Sequence, residues 1–198
     1  ADHRAWPFCR GRLVCLNIQR ENHLRIPFNK PPSINDSIKY VMESLDSGAL
    51  SGRGAYTEKC EAWFVKKFPT LSGALLTTSC THALEVSAIL MNLSKDDEVI
   101  VPSYTFTSSA LAYHMHGAKL RFCDIRRDTL NIDDTILESL ITKNTKAIIV
   151  VHYAGVSCEM DAIMAIAKKY SILVVEDNAH GLFGKYKGQD LGTIGDLA

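Results

Sequence analysis

Val174-Val175-Glu176-Asp177-Asn178-Ala179-His180-Gly181 is the stretch on which the fold of this chain turns. An apolar run over residues 172–175 ends in acidic side chains, and a turn carrying a histidine follows at once. In an α/β sheet, ligand crevices form outside the carboxyl ends of parallel strands, so residues of such a turn are delivered to a ligand. A carboxylate in that place can pair with a protonated ring nitrogen. Asp177 alone proves little; its weight comes from what precedes it.

Upstream, strands and helices alternate. A short strand is expected over 74–77, then a helix over about 81–93, a strand over 98–101 and a helix over about 107–116. Residues 120–123 continue as a strand, 133–141 as a helix whose two leading aspartates favour its positive end, and 147–152 as a buried strand. A helix over 161–170 and a strand over 172–176 close the series. This order predicts an α/β fold with right-handed crossovers and a mostly parallel sheet, helices on both faces.

Ahead of the alternation, Ile38, Val41, Met42 and Leu45 recur at helical spacing, started by Asn35 or Asp36 and stopped near Gly48. After the loop Ser51-Gly52-Arg53-Gly54, a second helix carries Tyr56, Cys60, Phe64 and Phe68 on one face. Residues 24–32 form a proline-punctuated extended arm, and 1–23 show no periodicity and are expected to be an irregular leader. The end, Gly192-Thr193-Ile194-Gly195-Asp196-Leu197-Ala198, heads into another strand. Residues 24–198 are therefore expected to be the N-terminal part of a larger domain.

With 198 residues the chain can bury a real core. Lys+Arg and Asp+Glu balance at 22 each, so no net field recruits nucleic acid or an acidic membrane. Arg4, Arg10, Arg12, Arg20 and Arg25 cluster without interleaved aromatics and read as a solvated leader. Cys9, Cys15, Cys60, Cys80, Cys123 and Cys158 are scattered, with no C-x-x-C pair and no metal-ligand spacing. Buried thiols in a reducing compartment are the expectation. No apolar run approaches the roughly 20 residues that span a bilayer, and 13–16 is too short for a signal-peptide core. A cytoplasmic protein with no metal, no nucleic-acid partner and no membrane partner follows.

The chemistry-bearing segments each close a successive strand. Thr77-Thr78-Ser79-Cys80-Thr81-His82 sits at a strand-to-helix junction, where first-turn N–H groups and the Ser79 and Thr81 hydroxyls can hold a phosphate dianion. An ordinary N-cap accounts for the same residues. No Walker loop and no G-x-G-x-x-G occurs. Pro102-Ser103-Tyr104-Thr105-Phe106-Thr107 offers an aromatic that can stack on a flat heteroaromatic ring, although a core aromatic is the commoner use. His152 either lines a pocket or is a satisfied core histidine; His82 reads as helix surface. His180, three residues past Asp177, can hydrogen-bond a phenolic oxygen. Together the segments supply what pyridoxal 5'-phosphate needs: a phosphate turn, a stacking aromatic and a carboxylate for the ring nitrogen.

The residues Ser79-Cys80-Thr81, Pro102-Ser103-Tyr104-Thr105-Phe106, Val151-His152-Tyr153-Ala154-Gly155, Cys158-Glu159-Met160-Asp161 and Glu176-Asp177 resemble the DegT/DnrJ/EryC1/StrS sugar-nucleotide aminotransferases. The likeness implies the aspartate-aminotransferase (type I) fold of pyridoxal-phosphate enzymes, here its large domain without the remainder and without the small domain. It places Cys80 and Thr81, beside Ser79, at the cofactor phosphate, Phe106 on the pyridine ring and Asp177 at the pyridinium. His180 stands where many members have a glutamine touching the phenolic oxygen. The implied activity is amino transfer from an amino acid, glutamate, to a dTDP-4-keto-6-deoxy-hexose for surface-polysaccharide synthesis, by a homodimer. The family's cofactor-binding lysine lies in a Ser-Phe-His-x-Thr-Lys-like segment; none of the lysines present, Lys185 and Lys187 included, has that context. Two other readings stand beside it: an inert truncated product, and a flavodoxin-like or receiver-like binding module with Asp177 in an acidic pocket.

Overall fold

The computed structural model describes Lys30 and residues 34–198; the leader, and the proline-punctuated arm apart from Lys30, lie outside the described residues. The chain divides into two units, Ala1–Ser47 and Gly48–Ala198. In the first, helix α1 (Ser37–Asp46) forms where the spacing of Ile38, Val41, Met42 and Leu45 predicts it, with Asp36 at the N-cap but making no side-chain cap bond. Those four side chains are exposed.

The second unit opens with α2 (Ala55–Lys67), whose one buried residue is Glu61 rather than the expected aromatic face. The buried carboxylate is fully engaged. Arg53 donates Nε–H and Nη2–H to Oε2 at 2.8 and 2.6 Å, and the Leu76 N–H donates to Oε1 at 3.1 Å. Of the predicted face, Phe68 is buried and Cys60 is exposed; Trp63 meets Phe64 and Phe68 edge-on.

The alternating part follows as α3 (Cys80–Leu90), β1 (Glu98–Pro102), α4 (Ser108–Met115), β2 (Lys119–Cys123), α5 (Asp134–Leu137), β3 (Thr145–Val151), α6 (Met160–Tyr170) and β4 (Leu173–Asp177), with a small hairpin of β5 (Lys185–Tyr186) and β6 (Gln189–Asp190). The sheet order is β2-β1-β3-β4 and every pairing in it is parallel. Successive strand residues face opposite sides. Val99, Val101, Ala147, Ile149 and Val175 therefore pack with Leu84 and Ala88 of α3 and Ala112 and Tyr113 of α4. Ile100, Ile148, Val150 and Val174 pack on the other face with Leu137 of α5 and Met160 and Ile163 of α6. Each such buried Val or Ile contributes about 1.5–3 kcal/mol, which is what fixes the register.

Three expectations are corrected. Residues 74–77 are not a strand: no described strand runs alongside them, Leu75 and Leu76 are exposed, and the Leu76 N–H is taken by Glu61 instead of a ladder. The helix expected over 133–141 is four residues of α5 followed by a 3-10 turn, Glu138–Leu140. Asp133 caps it, its Oδ1 accepting from the Thr135 N–H and hydroxyl at 3.0 and 2.6 Å, but β-branched Thr135 and Ile136 are poor helix continuers. Finally, Cys123 and Cys158 are buried as expected, whereas Cys60 and Cys80 are exposed.

Past β4, Leu197 forms a parallel bridge with Val175, and the Glu176 N–H donates to the Leu197 carbonyl at 2.8 Å. The segment read as heading for another strand thus runs along the edge of β4.

Candidate active site

Strand periodicity and parallel order place the ends of β1, β3 and β4 at one edge of the sheet. Asp177 is the last residue of β4 and shares a face with Val175, the face covered by α3 and α4. It is 5% exposed. Ser109, on the first turn of α4 and 1% exposed, donates its hydroxyl proton to Oδ2 at 2.6 Å. The Ala179 N–H donates to Oδ1 at 3.2 Å, and the Cys80 thiol lies 3.7 Å from the same oxygen. Thr105 in turn donates to Ser109 Oγ across 2.8 Å, since that oxygen's own proton is committed to Asp177. A carboxylate has about four lone-pair positions, so this arrangement orients Asp177 with three donors and leaves room for one more.

Cys80 belongs to an exposed residue position, yet its thiol is pushed up to about 11 by burial and by the Asp177 charge. From the ordinary value of 9.0, that is about a hundredfold less thiolate near neutral pH, partly offset by the greater nucleophilicity of a more basic thiolate. In the full-length protein, iodoacetamide at pH 8 is expected to alkylate Cys80 about tenfold more slowly than an ordinary exposed thiol. Asp177→Asn is expected to speed it, as read by peptide mass spectrometry. Equal rates with and without the Asp177 charge would show that the two groups are not coupled.

Ser79 is the N-cap of α3, its Oγ accepting from the His82 N–H at 3.2 Å. The cap reading is correct, and it does not displace the other: the Ser79 hydroxyl proton is uncommitted by that bond, and Cys80 and Thr81 put their N–H groups on the helix's positive first turn. Thr77 donates to the Ser79 carbonyl at 2.8 Å, and Thr78 hydrogen-bonds His82 Nδ1, which holds the turn shut. His82 is exposed, as expected of helix surface.

Phe106 lies in the loop after β1 with 75% of its surface open. Tyr104 is engaged elsewhere: its hydroxyl is 3.0 Å from that of Tyr153 and the two rings are 4.9 Å apart. The structure brings Cys80 and Asp177 into contact, sets Ser79 and Thr81 beside Cys80, and carries His180 on the turn whose Ala179 N–H holds Asp177. It gives Phe106 no polar link to them.

The two histidines part company. His152 is fully buried and donates Nε2–H to Glu176 Oε2 at 2.8 Å, while its Nδ1 accepts the Cys158 N–H at 3.2 Å. Of the two alternatives, it is the satisfied core histidine. Glu176 also accepts the N–H groups of Gly192, Ile194 and Gly195 at 2.9, 2.7 and 2.6 Å. Burial opposes its ionisation, but the His152 bond and those three donors outweigh it and hold the carboxyl below the usual range. A Cβ at position 195 would sit 2.9 Å from the Val174 carbonyl, so only glycine allows this approach. His180 is exposed, and its Nδ1 accepts the Ala154 N–H at 3.3 Å, which leaves Nε2 as the ring's donor position.

The supports around Asp177 and on the opposite face are not evident from single residues, but two signals in the sequence point to them. Thr105 and Ser109 stand four apart, one helical turn, where a strand feeds a helix. Glu176 and His152 follow from parity: Val151 pairs in register with Asp177, so His152, one residue on, faces with Glu176 on the opposite side.

Among the described residues no group of three His, Cys, Asp or Glu side chains can hold a metal ion, and no helix is long and apolar enough to cross a membrane. The DegT/DnrJ/EryC1/StrS aminotransferase family matches residues 32–198. The spore coat polysaccharide biosynthesis protein SpsC of Bacillus subtilis is 38% identical over 179 residues, 90% of this chain and 45% of its own length. The putative sugar aminotransferase Spr1654 of Streptococcus pneumoniae, in its PMP-form, superposes with a TM-score of 0.81 at 33% identity, covering 87% of this chain and 46% of that one. A GDP-4-keto-6-deoxymannose-3-dehydratase gives 0.80 at 27% identity, covering 86% and 45%. The chain spans about half the length of the curated relatives it matches.

Proposed function

The chain belongs to the DegT/DnrJ/EryC1/StrS aminotransferase family, and from that premise we propose that its complete protein is a pyridoxal-phosphate-dependent aminotransferase of nucleotide sugars. The substrate is a dTDP-4-keto-6-deoxy-hexose and the amino donor is glutamate. The sequence over 26–32 and 152–161 resembles that of the family's dTDP-4-amino-4,6-dideoxygalactose transaminases, which supports that amino sugar as the product, for a polysaccharide like enterobacterial common antigen. The enzyme works in the cytoplasm as a homodimer, with residues 24–198 contributing the N-terminal part of the large domain. The dehydratase with a keto-deoxy sugar nucleotide and the PMP-form of the pneumococcal protein lend support to the sugar and the cofactor.

The observation that carries this proposal is the buried Asp177 carboxylate, oriented by Ser109, Ala179 and Cys80 with one acceptor position over. That donor set fits a protonated pyridine nitrogen, and the hydroxyl-rich first turn of α3 fits the phosphate. When bound, the cofactor supplies an electron sink that labilises a C–H bond at the reacting carbon. Asp177 keeps the proton on the ring nitrogen. Ser109 and Thr105 keep Asp177 aimed, because the low-dielectric setting makes misorientation costly. Ser79, Cys80 and Thr81 anchor the phosphate end, and His180 donates Nε2–H to the phenolic oxygen. Phe106, open in its loop, covers the ring face, a contact worth about 1 kcal/mol beyond its area. Proton transfer at the reacting carbon belongs to the family's lysine as general acid and base.

The test is the amino-donor half-reaction. Full-length protein loaded with pyridoxal phosphate is expected to shift its visible absorption to the pyridoxamine form on adding glutamate, and to shift back on adding the dTDP-4-keto sugar. A spectrum indifferent to every amino acid would overturn the proposal.

A further inference from the structure

Tyr104, Tyr153 and His180 form a cluster at the same sheet edge that the cofactor assignment leaves largely unused. Tyr104 comes from the loop after β1, Tyr153 from the turn after β3 and His180 from the turn after β4. The Tyr104 and Tyr153 hydroxyls are 3.0 Å apart and their rings tilt at 52°. His180 packs edge-on against Tyr153 at 5.8 Å.

The turn that presents Tyr153 is held in a strained form. Ala154 sits in the left-handed region with φ 53° and ψ 23°, a conformation costing a residue with a Cβ about 1–2 kcal/mol. Gly155 follows at φ 80°, and a Cβ there would stand 3.1 Å from the His180 carbonyl. Buried Asn131 clamps both sides, accepting the Tyr153 N–H and donating to the Val156 carbonyl, each at 3.0 Å. Strain kept in place by such clamps marks a turn whose geometry is used.

What the turn presents has a definite chemistry. Two phenols share one hydrogen bond, so whichever donates, the pair keeps one free O–H and lone pairs on both oxygens. The Tyr104 bond, then burial, raises the Tyr153 hydroxyl, which keeps its proton. Two neutral hydroxyls at hydrogen-bond separation match a pair of neighbouring ring hydroxyls, each of which also donates and accepts. A phosphate or carboxylate would ask for donors only. The tilted rings add an apolar wall for the C–H face of a sugar.

We propose that the Tyr104–Tyr153 hydroxyl pair reads two neighbouring hydroxyls of the acceptor sugar ring and so helps set which sugar is aminated. This rests on the reading of the site as a sugar aminotransferase. The test uses Tyr104→Phe, Tyr153→Phe and the double variant in the full-length, cofactor-loaded enzyme. Each single variant is expected to raise KM for the keto sugar, and Kd for the amino-sugar product by calorimetry, about tenfold, the effect of one hydrogen bond of about 1.4 kcal/mol. The double variant is expected to fall within about twofold of the worse single one, because the pair acts as a unit. The rate of the glutamate half-reaction is expected to stay within about twofold of wild type. Unchanged sugar binding overturns the proposal, and so does an equal loss in both half-reactions, which would mean the pair supports the cofactor or the fold. If the wild type takes no amino group from any donor, the aminotransferase reading fails; calorimetry with the nucleotide sugar then decides the hydroxyl-pair proposal alone.

Discussion

Replacing Asp177 with asparagine in the full-length protein is expected to lower kcat on the order of 10³-fold, with the secondary structure and unfolding midpoint nearly unchanged. The separation of the two effects follows from what the side chain touches. An asparagine there still accepts the Ser109 hydroxyl proton through its amide oxygen. Its NH₂ group, however, faces the Ala179 N–H, a donor against a donor, which costs about 1 kcal/mol. That is a small fraction of the stability of such a domain. What is lost outright is the negative charge that, in the proposed role, keeps a proton on a bound ring nitrogen, and a preorganised charge inside a water-poor site is worth far more than its stability contribution. Asp177→Ala is expected to be as inactive or worse and also to weaken cofactor binding. Steady-state turnover, with circular dichroism as the control for folding, makes the measurement. Turnover within tenfold of wild type in the asparagine variant would take Asp177 out of the role.

That the strand-end position of Asp177 is legible in the sequence, while its supports are not, has a physical origin. An apolar run ending in an acidic residue before a turn states its own location, since strand burial and strand termination are both local properties. The same locality makes the four sheet strands, and the helices α3, α4 and α6, legible to within one to three residues. Apart from the shortened α5, where β-branched Thr135 and Ile136 act locally, the failures are non-local. Residues 74–77 have the composition of a strand, but a strand is defined by a neighbour, and the composition of Ala74 or Leu75 says nothing about who lies alongside. Nothing in the spacing of the second helix points to Glu61; its partners are Arg53 and the Leu76 N–H, eight and 15 residues away. Taken singly, His152 fits two roles. Alternation along β3 and β4 together assigns it to the Glu176 side, away from Asp177.

Removing Glu176 is the complementary experiment, and a large loss of stability is expected from it. The carboxylate accepts from the His152 ring and from three backbone N–H groups of the 192–195 loop, all on the face opposite Asp177. Glu176→Ala would strand these donors in a buried site. A single orphaned buried donor costs about 1–3 kcal/mol, and breaking a buried charged network costs about 3–5 kcal/mol once some water enters. The unfolding midpoint is then expected to drop by roughly 6–20 °C for a domain of this size. Because the same loop leads into the Leu197–Val175 bridge, amide exchange at residues 192–197 is expected to accelerate first and most. Glu176→Gln, which keeps one acceptor oxygen but turns an NH₂ toward the donors, should fall between. The pH dependence has a fixed sign. The folded-state pKa lies below that of an unfolded glutamate, about 4.3, so the unfolded chain binds the proton more readily. The stabilisation is fully present above that unfolded value and is lost as pH falls through the folded one. Wild type should therefore lose stability more steeply than the glutamine variant below about pH 4.3, so that the two curves converge in acid. An alanine variant as stable as wild type, with unaltered exchange in the 192–197 loop, would show that the loop is held by other contacts and that Glu176 is a bystander.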